Sequence, residues 1–239
     1  DALLRAHQVR IGRYTSPHLT HVTERICVDS MPVSDTRFVE AFDEVDGLAK
    51  IIDRQSEQPV TYFEILTALA FAIFADTPID VGIIEVGMGG EWDATNVIDA
   101  PVAVITPIGM DHAEFLGDNV ATIAQEKAGI IAPNATVISA VQEPSAAERL
   151  LIRAVEQDAT VAREGMEFGV LSREIAVGGQ QLLGRCTTKF FCHCMARTRR
   201  KMRRWHWRPP KRSLVSRRAR PLMLKWFARD LLWLLLRAG

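Results

Sequence analysis

Short runs of apolar residues alternate along this chain with longer segments of helical periodicity, and this alternation most constrains the fold. Asp80–Val86 and Pro101–Pro107 lack the every-second-residue alternation of a half-exposed strand, which is typical of parallel strands covered on both faces. Ala135–Ala140 and Thr160–Arg163 are further candidate strands. Strands that alternate with helices predict an α/β fold with a mainly parallel sheet and helices on both faces.

The helical segments carry start signals in the sequence. Ser34 is a good N-cap for a helix with one apolar face, formed by Phe38, Phe42, Val45, Leu48 and Ile52. Thr61 and Glu64 make a T-x-x-E capping box before a helix that is apolar nearly all round, so we expect it to be buried. Further predictions are a helix end at Ala2–His7, a strand at Val9–Tyr14, a polar loop at Thr15–Asp29, and helices at Asn119–Ile131 and Pro144–Gln157.

Charge divides the 239-residue chain into two unlike parts, although the net charge is zero. Residues 1–184 contain 12 Lys and Arg against 28 Asp and Glu, a net charge of 12 − 28 = −16. Residues 185–239 contain 17 against 1, a net charge of 17 − 1 = +16. We therefore predict a domain over residues 1–184, followed by a basic Arg- and Trp-rich tail over residues 185–239 that is disordered or aberrant.

The chain begins with Asp1 rather than Met, and Leu3 and Leu4 have no helix entry signal before them, so we expect that the start of the protein is missing. Cys27 is the only cysteine of residues 1–184, which argues against a disulfide framework and predicts a cytoplasmic location. No apolar stretch reaches the roughly 20 residues of a membrane span, and no membrane association is predicted.

Residues that could bind a ligand follow two of the predicted strands. Glu85 ends the first and leads into Val86–Gly90, where three glycines in four positions let the backbone approach a ligand closely. Asp111 and His112 follow the second. Glu85 and His112 together could hold a divalent cation, for which oxygen ligands favour Mg²⁺. The alternative is that Glu85 pairs with an arginine and His112 caps a helix or faces solvent.

Other candidates are ambiguous from the residue pattern alone. Lys127 lies on a largely apolar helix, but lysines are mostly exposed, so a surface lysine is the default interpretation. Ser16 could offer a hydroxyl to a metal or ligand, although most such loop residues do not. Asp93, Thr95 and Asn96 would ordinarily be turn formers.

Six motifs occur together in one order along the chain. They are Tyr14-Thr15-Ser16-Pro17-His18-Leu19, Thr61-Tyr62-Phe63-Glu64, Glu85-Val86-Gly87-Met88-Gly89-Gly90, Asp93-Ala94-Thr95-Asn96, Asp111-His112 and Glu126-Lys127-Ala128-Gly129-Ile130. In order and approximate spacing, residues 2–184 resemble the folylpolyglutamate synthase/dihydrofolate synthase family, a branch of the Mur-type ATP-dependent ligases. The resemblance implies a P-loop-type sheet like the central ATPase domain of Mur ligases, present here incompletely.

The resemblance also implies a function and a set of site residues. ATP would phosphorylate the carboxylate of dihydropteroate or a folate, and the amine of L-glutamate would then attack the acyl phosphate. Ser16, Glu85 and His112 match the positions that bind Mg²⁺, and Lys127 matches the lysine that the family carries as a carbamate. The pterin-binding positions match Thr61, Tyr62, Phe63 and Glu64 and a second set of residues, Trp92, Asp93 and Ala94. The intact family member is expected to be a cytoplasmic monomer.

The departures from the family are as important as the matches. The Gly-rich Gly-Lys-[Ser/Thr] loop that would cradle the phosphates is absent before Ala2–His7, and the family's second domain does not follow. An alternative is therefore a catalytically dead remnant or a non-enzymatic pterin-binding protein. The measurable difference between the two hypotheses is ATP-dependent ligation of glutamate.

The tail beyond Gly184 loses the family pattern and gains Arg, Trp and Cys together. A nucleic-acid arm and a membrane-surface helix at Leu222–Leu236 are two interpretations of it. The one we favour is a reading-frame shift, so that the tail has no selected partner and no nucleic acid is expected to bind.

Overall fold

The computed structural model describes residues 1–176, 179–186 and 232–237. The α-helices of these residues are α1 (Ala2–Arg5), α2 (Asp35–Asp53), α3 (Tyr62–Asp76), α4 (Ala113–Leu116), α5 (Val120–Ala128) and α6 (Pro144–Glu156). Short 3₁₀ helices lie at Val22–Arg25 and Ala94–Val97. The strands are β1 (Ile11–Tyr14), β2 (Ile26–Val28), β3 (Met31–Pro32), β4 (Val81–Glu85), β5 (Val102–Ile105), β6 (Thr136–Ser139), β7 (Thr160–Arg163), β8 (Phe168–Ala176), β9 (Gly179–Cys186) and β10 (Leu232–Arg237).

Eight of these strands form one mixed sheet in the order β3-β2-β1-β4-β10-β5-β6-β7. The strands from β1 through β7 in this order are all parallel to their neighbours, whereas β2 and β3 are antiparallel additions at one edge. Strands β8 and β9 form a separate antiparallel hairpin. The predicted α/β fold with a mainly parallel sheet is confirmed.

Side chains of β1 and β4 alternate between two apolar clusters, one on each face of the sheet. Tyr14 and Ile84 belong to the larger cluster, to which α2, α3, α5 and α6 all contribute buried residues. Ile11 and Ile83 belong to a smaller cluster, against which Leu4 of α1 packs. Both faces are therefore covered, and the larger core lies under the four long helices.

Helix α2 begins where the sequence predicts, but it buries only part of the predicted apolar face. The hydroxyl of Ser34 accepts a hydrogen bond from the backbone N–H of Arg37, which confirms the N-cap. The buried residues are Ala41, Val45 and Ala49, while Phe42, Leu48 and Ile52 are exposed. The predicted apolar face is therefore confirmed for Val45 and for Phe38, which packs half-buried against the core, and is wrong for the other three residues. Helix α2 packs against α3 also through small side chains, which let the two helices approach closely.

Helix α3 confirms both of its predictions. The Thr61 hydroxyl accepts from the backbone N–H of Glu64, and the Glu64 carboxylate accepts from the backbone N–H of Thr61, so the capping box is complete. The helix behind it is buried through Leu66, Thr67, Leu69, Ala70, Ile73 and Phe74. The capping box fixes the start of α3, which lies at the same edge of the sheet as the end of β1.

The predicted polar loop Thr15–Asp29 is wrong for its second half. Residues Val22–Arg25 form a 3₁₀ helix, and β2 then pairs antiparallel with β1, so that Ile26 lies opposite Tyr14. Ile26 and Cys27 are buried. A three-residue strand of this kind depends on its partner strand and leaves little signal in its own sequence.

Two parts of the predicted tail lie in strands. Arg185 and Cys186 end β9, and β10 lies between β4 and β5, parallel to both. The hypothesis of a helix at Leu222–Leu236 is wrong for residues 232–236, which are strand. Residues 187–231 lie outside the described residues, together with most of what the nucleic-acid and frame-shift interpretations concern. Across the described part of the chain, none of the helices has both the length and the apolar character needed to cross a membrane.

Candidate active site

Two predicted metal-binding residues meet where β1 and β4 end. Because Tyr14 lies beside Ile84 in these parallel strands, the residues that follow emerge at the same edge of the sheet. The backbone N–H of Ser16 donates to Oε2 of Glu85 over 3.0 Å. Among the described residues, no arginine forms an ion pair with Glu85.

The third predicted metal-binding residue lies on the loop that follows β5, which we call the histidine loop (residues 106–117). His112 has a left-handed φ of 50° and occupies the N-cap position of α4 without a side-chain capping bond. Its Nε2 is 3.6 Å from Oδ2 of Asp111, and its side chain is 51% exposed. Within the described residues, His112 makes no hydrogen bond to Glu85 or Ser16, and no cluster of three or more His, Cys, Asp and Glu side chains could hold a metal.

The start of the histidine loop is fixed by a glutamine from the neighbouring strand end. Oε1 of Gln142 accepts from the backbone N–H of Ile108 over 2.9 Å. Nε2 of Gln142 donates to the carbonyl of Thr106 over 2.8 Å. Beyond its start, Met110 is 55% and Phe115 is 72% exposed, whereas Leu116 packs against the larger core.

Lys127 lies near the end of α5 and is buried, since only 6% of the residue is exposed. The default interpretation as a surface lysine is therefore wrong.

The loop that follows β4, which we call the glycine loop (residues 87–96), is closed by side chains at several points. Oδ2 of Asp93 accepts from the backbone N–H of Met88, and Oδ1 accepts from both the N–H and the hydroxyl of Thr95. The amide of Asn96 donates to the carbonyls of Glu91 and Gly129. The interpretation of Asp93, Thr95 and Asn96 as turn formers is thus confirmed.

The glycine loop is also bound to α5. Oε1 of Glu126 accepts from the backbone N–H of Gly90 and of Trp92, each over 3.3 Å. The carbonyl of Glu126 accepts from the N–H of Glu91 over 3.0 Å. Close approach is possible because Gly129 has no side chain, since a Cβ there would lie 2.5 Å from Cα of Glu91.

The predicted pterin-binding residues of α3 lie beside the glycine loop. The ring of Phe63 covers Gly87 so closely that a Cβ on Gly87 would lie 2.7 Å from Cε1 of the ring. The rings of Phe63 and Tyr14 are 6.0 Å apart between centroids. Arg25 lies 5.7 Å above the ring of Tyr62 and donates from Nε to Nδ1 of His18, which ties the loop after β1 to the start of α3.

Trp92 and Asp93 point to different surroundings. Asp93 is near enough to the buried hydroxyl of Tyr14 to act on its titration. Trp92 is 89% exposed and borders two open cavities, of about 420 and 390 Å³, that it shares with Gln125 and Glu126 of α5. The structure therefore groups Phe63, Gly87 and Asp93 on one side of the loop, and Trp92 on the other.

Two titratable groups at this edge have shifted pKa values. Burial raises the pKa of Tyr14 above its usual value, although the hydrogen bond between its hydroxyl and that of Thr67 lowers it. Hydrogen bonds from the hydroxyl and the backbone N–H of Thr61 lower the pKa of Glu64. Glu64 is therefore held as a carboxylate that caps α3, directly beside Phe63.

Arg25 and Gln142 of this region were not singled out by sequence, and Glu126 was named only as part of a motif, without a role of its own. Gln142 follows the end of β6 by three residues, so the rule that ligand-binding residues follow parallel strands could have found it. Arg25 and Glu126 act through contacts between distant segments, which residue patterns do not reveal.

Comparison with known proteins identifies the class to which this sheet and its strand-end loops belong. Residues 35–169 match the model of the Mur ligase middle domain, and this chain belongs to that family. The match includes Glu85, His112 and Lys127 but not Ser16.

Among individual proteins, the chain is 51% identical over 195 residues to the dihydrofolate synthase/folylpolyglutamate synthase of Mycobacterium tuberculosis, covering 76% of this chain and 40% of that protein. A crystal structure of M. tuberculosis folylpolyglutamate synthase complexed with ADP and AMPPCP superimposes with a TM-score of 0.73 at 52% identity, covering 77% of this chain and 43% of that one. Escherichia coli FolC in complex with DHPP and ADP gives a TM-score of 0.65 at 33% identity, covering 75% and 42%. The chain thus spans about two fifths of the length of these relatives.

Proposed function

We propose that this chain provides the metal-, lysine- and pterin-binding part of an ATP- and Mg²⁺-dependent ligase that adds L-glutamate to dihydropteroate or a folate. Residues 1–184 would form the Mur-type domain for ATP and folate. The observation that carries the proposal is the hydrogen bond between Ser16 and Glu85, because it brings two residues from separate motifs to one strand-end crevice. The similarity to dihydrofolate and folylpolyglutamate synthases supports the choice of substrates.

The residues at this crevice fit a hard divalent cation. One carboxylate oxygen of Glu85 accepts from the backbone of Ser16, while the other carboxylate oxygen and the Ser16 hydroxyl are oxygen donors of the kind that Mg²⁺ takes in proteins. Mg²⁺ keeps several waters and is bound through one or two carboxylates plus substrate phosphates, so a full cage of protein ligands is not required. His112 would add a ligand from the histidine loop. When bound, Mg²⁺ would neutralise the negative charge of the transferring phosphoryl group.

Lys127 would act from the end of α5 as a carbamate. Addition of CO₂ to its neutral amine forms an N–C bond and releases a proton, so that a cationic side chain becomes an anionic one. Burial supports this role, since an ammonium group is costly to remove from water, and a buried lysine that carries a negative group needs a positive partner such as a metal. The carbamate of Lys127 would then be a further candidate ligand for the metal.

The substrate's flat heterocycle would lie between α3 and the glycine loop. Phe63 offers an aromatic face beside Gly87, and Thr61, Tyr62 and Glu64 form the rim at the start of α3. On the loop, Asp93 and Ala94 would lie on the same side as Phe63. Trp92 would contact the part of the substrate that extends toward α5.

The reaction would proceed in two displacement steps, the first at the γ-phosphorus of ATP and the second at the acyl carbon of the substrate. The carboxylate oxygen would attack the γ-phosphorus of ATP, and ADP would leave with the electron pair of the broken P–O bond. The amine of glutamate would then attack the acyl carbon, lose a proton and displace inorganic phosphate. The described residues would position the carboxyl group and the metal, while the phosphate-cradling Gly-Lys-[Ser/Thr] segment is not among the residues of this sequence.

A chimaera tests this proposal directly. This chain's residues would replace the 195 matched residues of the M. tuberculosis relative, and ATP-dependent incorporation of labelled glutamate into dihydropteroate would be measured. We expect turnover in the chimaera and a loss of at least a thousandfold on Glu85→Ala or Lys127→Ala. Glu148→Ala, at an exposed position of α6, serves as the control and should leave turnover unchanged. A folded chimaera without turnover would refute the proposal.

The chain by itself gives a second test. Dihydropteroate binding, followed by calorimetry, should be detectable and should weaken at least tenfold on Phe63→Ala. Ligation by the chain alone, abolished by Glu85→Ala, would exclude a catalytically dead remnant.

We further propose a cytoplasmic, monomeric protein, which cell fractionation and light scattering would test.

A further inference from the structure

Three consecutive backbone N–H groups of the glycine loop converge on a single residue. Those of Gly90 and Trp92 donate to Oε1 of Glu126, and that of Glu91 donates to the Glu126 carbonyl. The Glu126 carboxylate therefore satisfies the N–H groups of Gly90 and Trp92, and the Glu126 carbonyl satisfies that of Glu91, without a ligand.

The loop is shaped around this carboxylate. Gly89 has a φ of +69°, and a Cβ at this position would lie 3.1 Å from both Cγ and Oε1 of Glu126. The glycine therefore allows the turn and also makes room for the glutamate side chain. Three glycines in four positions suggest a backbone that approaches a ligand, but at Gly89 the close approach is to Glu126.

Glu126 also connects the two parts of the site that the proposed function uses. It precedes Lys127 on the last turn of α5, and its carboxylate holds the backbone from which Trp92 and Asp93 project. Asn96 reinforces the same junction through its bonds to the carbonyls of Glu91 and Gly129. A shift of the glycine loop relative to Lys127 would require that the Glu126 bonds break.

We propose that Glu126 is a positioning residue that holds the substrate-binding side of the glycine loop at a fixed distance from Lys127. The proposal rests on the proposed function for its substrate, but the contact between loop and carboxylate stands independently of it. The bonds from Gly90 and Trp92 go to the same oxygen, Oε1, so we expect that an uncharged acceptor oxygen at this position is sufficient to hold the loop. Glu126→Gln keeps such an oxygen, whereas Glu126→Ala removes it and Glu126→Asp withdraws it by one methylene.

Amide hydrogen exchange of the full chain, measured by NMR at Gly90 and Trp92, tests the contact. We expect exchange at both positions to accelerate at least tenfold in Glu126→Ala and Glu126→Asp, and to stay within threefold of the parent in Glu126→Gln. Glu148→Ala removes an exposed carboxylate from α6 and serves as the matched control, with unchanged exchange. Unchanged exchange in a folded Glu126→Ala or Glu126→Asp variant would overturn the proposal.

Folate binding by the same variants tests the positioning role. Calorimetry should give a dissociation constant at least tenfold weaker for Glu126→Ala and Glu126→Asp, and rescue in Glu126→Gln. Equal affinity in all variants despite faster amide exchange would overturn the positioning role. If the parent chain binds no folate while the exchange pattern is as expected, the proposed function fails and the contact between Glu126 and the loop stands. If Glu126→Ala does not fold, Glu126→Asp and Glu126→Gln together give the same decision.

Discussion

The glycine loop and the histidine loop both follow buried parallel strands, yet they are built very differently. The glycine loop is closed internally by Asp93 and fastened to α5 by Glu126. The histidine loop is held at its start by Gln142 and packs near its end through Leu116, whereas Met110, His112 and Phe115 between these points are exposed. Position at the end of a strand therefore brings residues to a crevice, but bonds from other segments decide whether the geometry is set before a ligand arrives.

The largest expected effect comes from the junction between the glycine loop and α5. Gly129→Ala would place a Cβ 2.5 Å from Cα of Glu91, and a backbone atom has little freedom to move away. We expect a loss of ~3 kcal/mol in the free energy of unfolding, measured by urea denaturation. Gly47→Ala is the control, because nothing lies within 4 Å of a Cβ at this position in α2, and it should gain ~0.5 kcal/mol from helix propensity.

A pair of glycine substitutions compares the two loops directly. Gly87→Ala would force a Cβ against the ring of Phe63, with Cε1 and Cε2 at 2.7 and 2.8 Å, and should cost ~2 kcal/mol by displacing a packed aromatic side chain. Gly109→Ala in the histidine loop meets nothing within 4 Å and should change stability by less than ~0.5 kcal/mol. Equal losses at the two positions would contradict the difference in construction.

Aspartate substitutions should give the same order with smaller effects. Asp93→Ala leaves the N–H groups of Met88 and Thr95 and the hydroxyl of the buried Thr95 without their acceptor, at a cost of ~1.5 kcal/mol. Asp111→Ala removes a bond to the N–H of the next residue and an exposed 3.6 Å contact with the imidazole of that residue, so its cost should be within ~0.5 kcal/mol. Thermal unfolding of both variants would measure this difference, and a larger loss for Asp111→Ala would reverse the comparison.

The helices at the two loops also differ in how they begin. Thr61→Ala removes the cap of α3, on which Phe63 sits, and should cost ~1 kcal/mol in urea denaturation. His112→Ala removes a side chain that makes no capping bond to α4 and should leave the stability unchanged. A destabilising His112→Ala would show that the histidine loop depends on a contact of this imidazole.

The smallest expected effect is a pH dependence. Because hydrogen bonds from Thr61 lower the pKa of Glu64 in the folded chain below its usual value of about 4.5, its contribution to stability is present above that value and is lost as the pH falls through the folded pKa. Glu64 is exposed, so the contribution should be only ~0.3 kcal/mol. Urea denaturation at pH 7 and at pH 3 should show a smaller acid-induced loss in Glu64→Gln than in the parent.

Local signals in the sequence predicted the beginnings of helices well. Ser34 and Thr61 cap α2 and α3 because a cap is decided within four residues of chain. The face that α2 buries was only partly predictable, since its small residues Ala41 and Ala49 are selected by the approach of α3. Strands β2 and β10 were missed for the same reason, because each exists through the strand beside it.

The candidate site likewise contains residues that the sequence could predict and residues that it could not. The order of motifs gave the residues that meet at the sheet edge, such as Ser16 with Glu85, because parallel strands must end together. Burial of Lys127 reverses what the residue type alone suggests, and only the packing of α5 reveals it. Glu126 could not be found from the pattern, since its bonds reach Gly90 and Trp92 across 36 and 34 residues of sequence.

The separation in sequence between the glycine loop and Glu126 affects how the chain can fold while the ribosome synthesises it from its N-terminus. The glycine loop leaves the exit tunnel well before α5 does, and it remains an open chain until β5, α4 and α5 have followed. Closing a segment of this length costs ~3 kcal/mol of chain entropy by the logarithmic loop-closure relation, so the contact with Glu126 forms only when packing of α5 supplies the compensating free energy. A nascent chain arrested before α5 would therefore carry the complete β4 sequence with its glycine loop still unshaped.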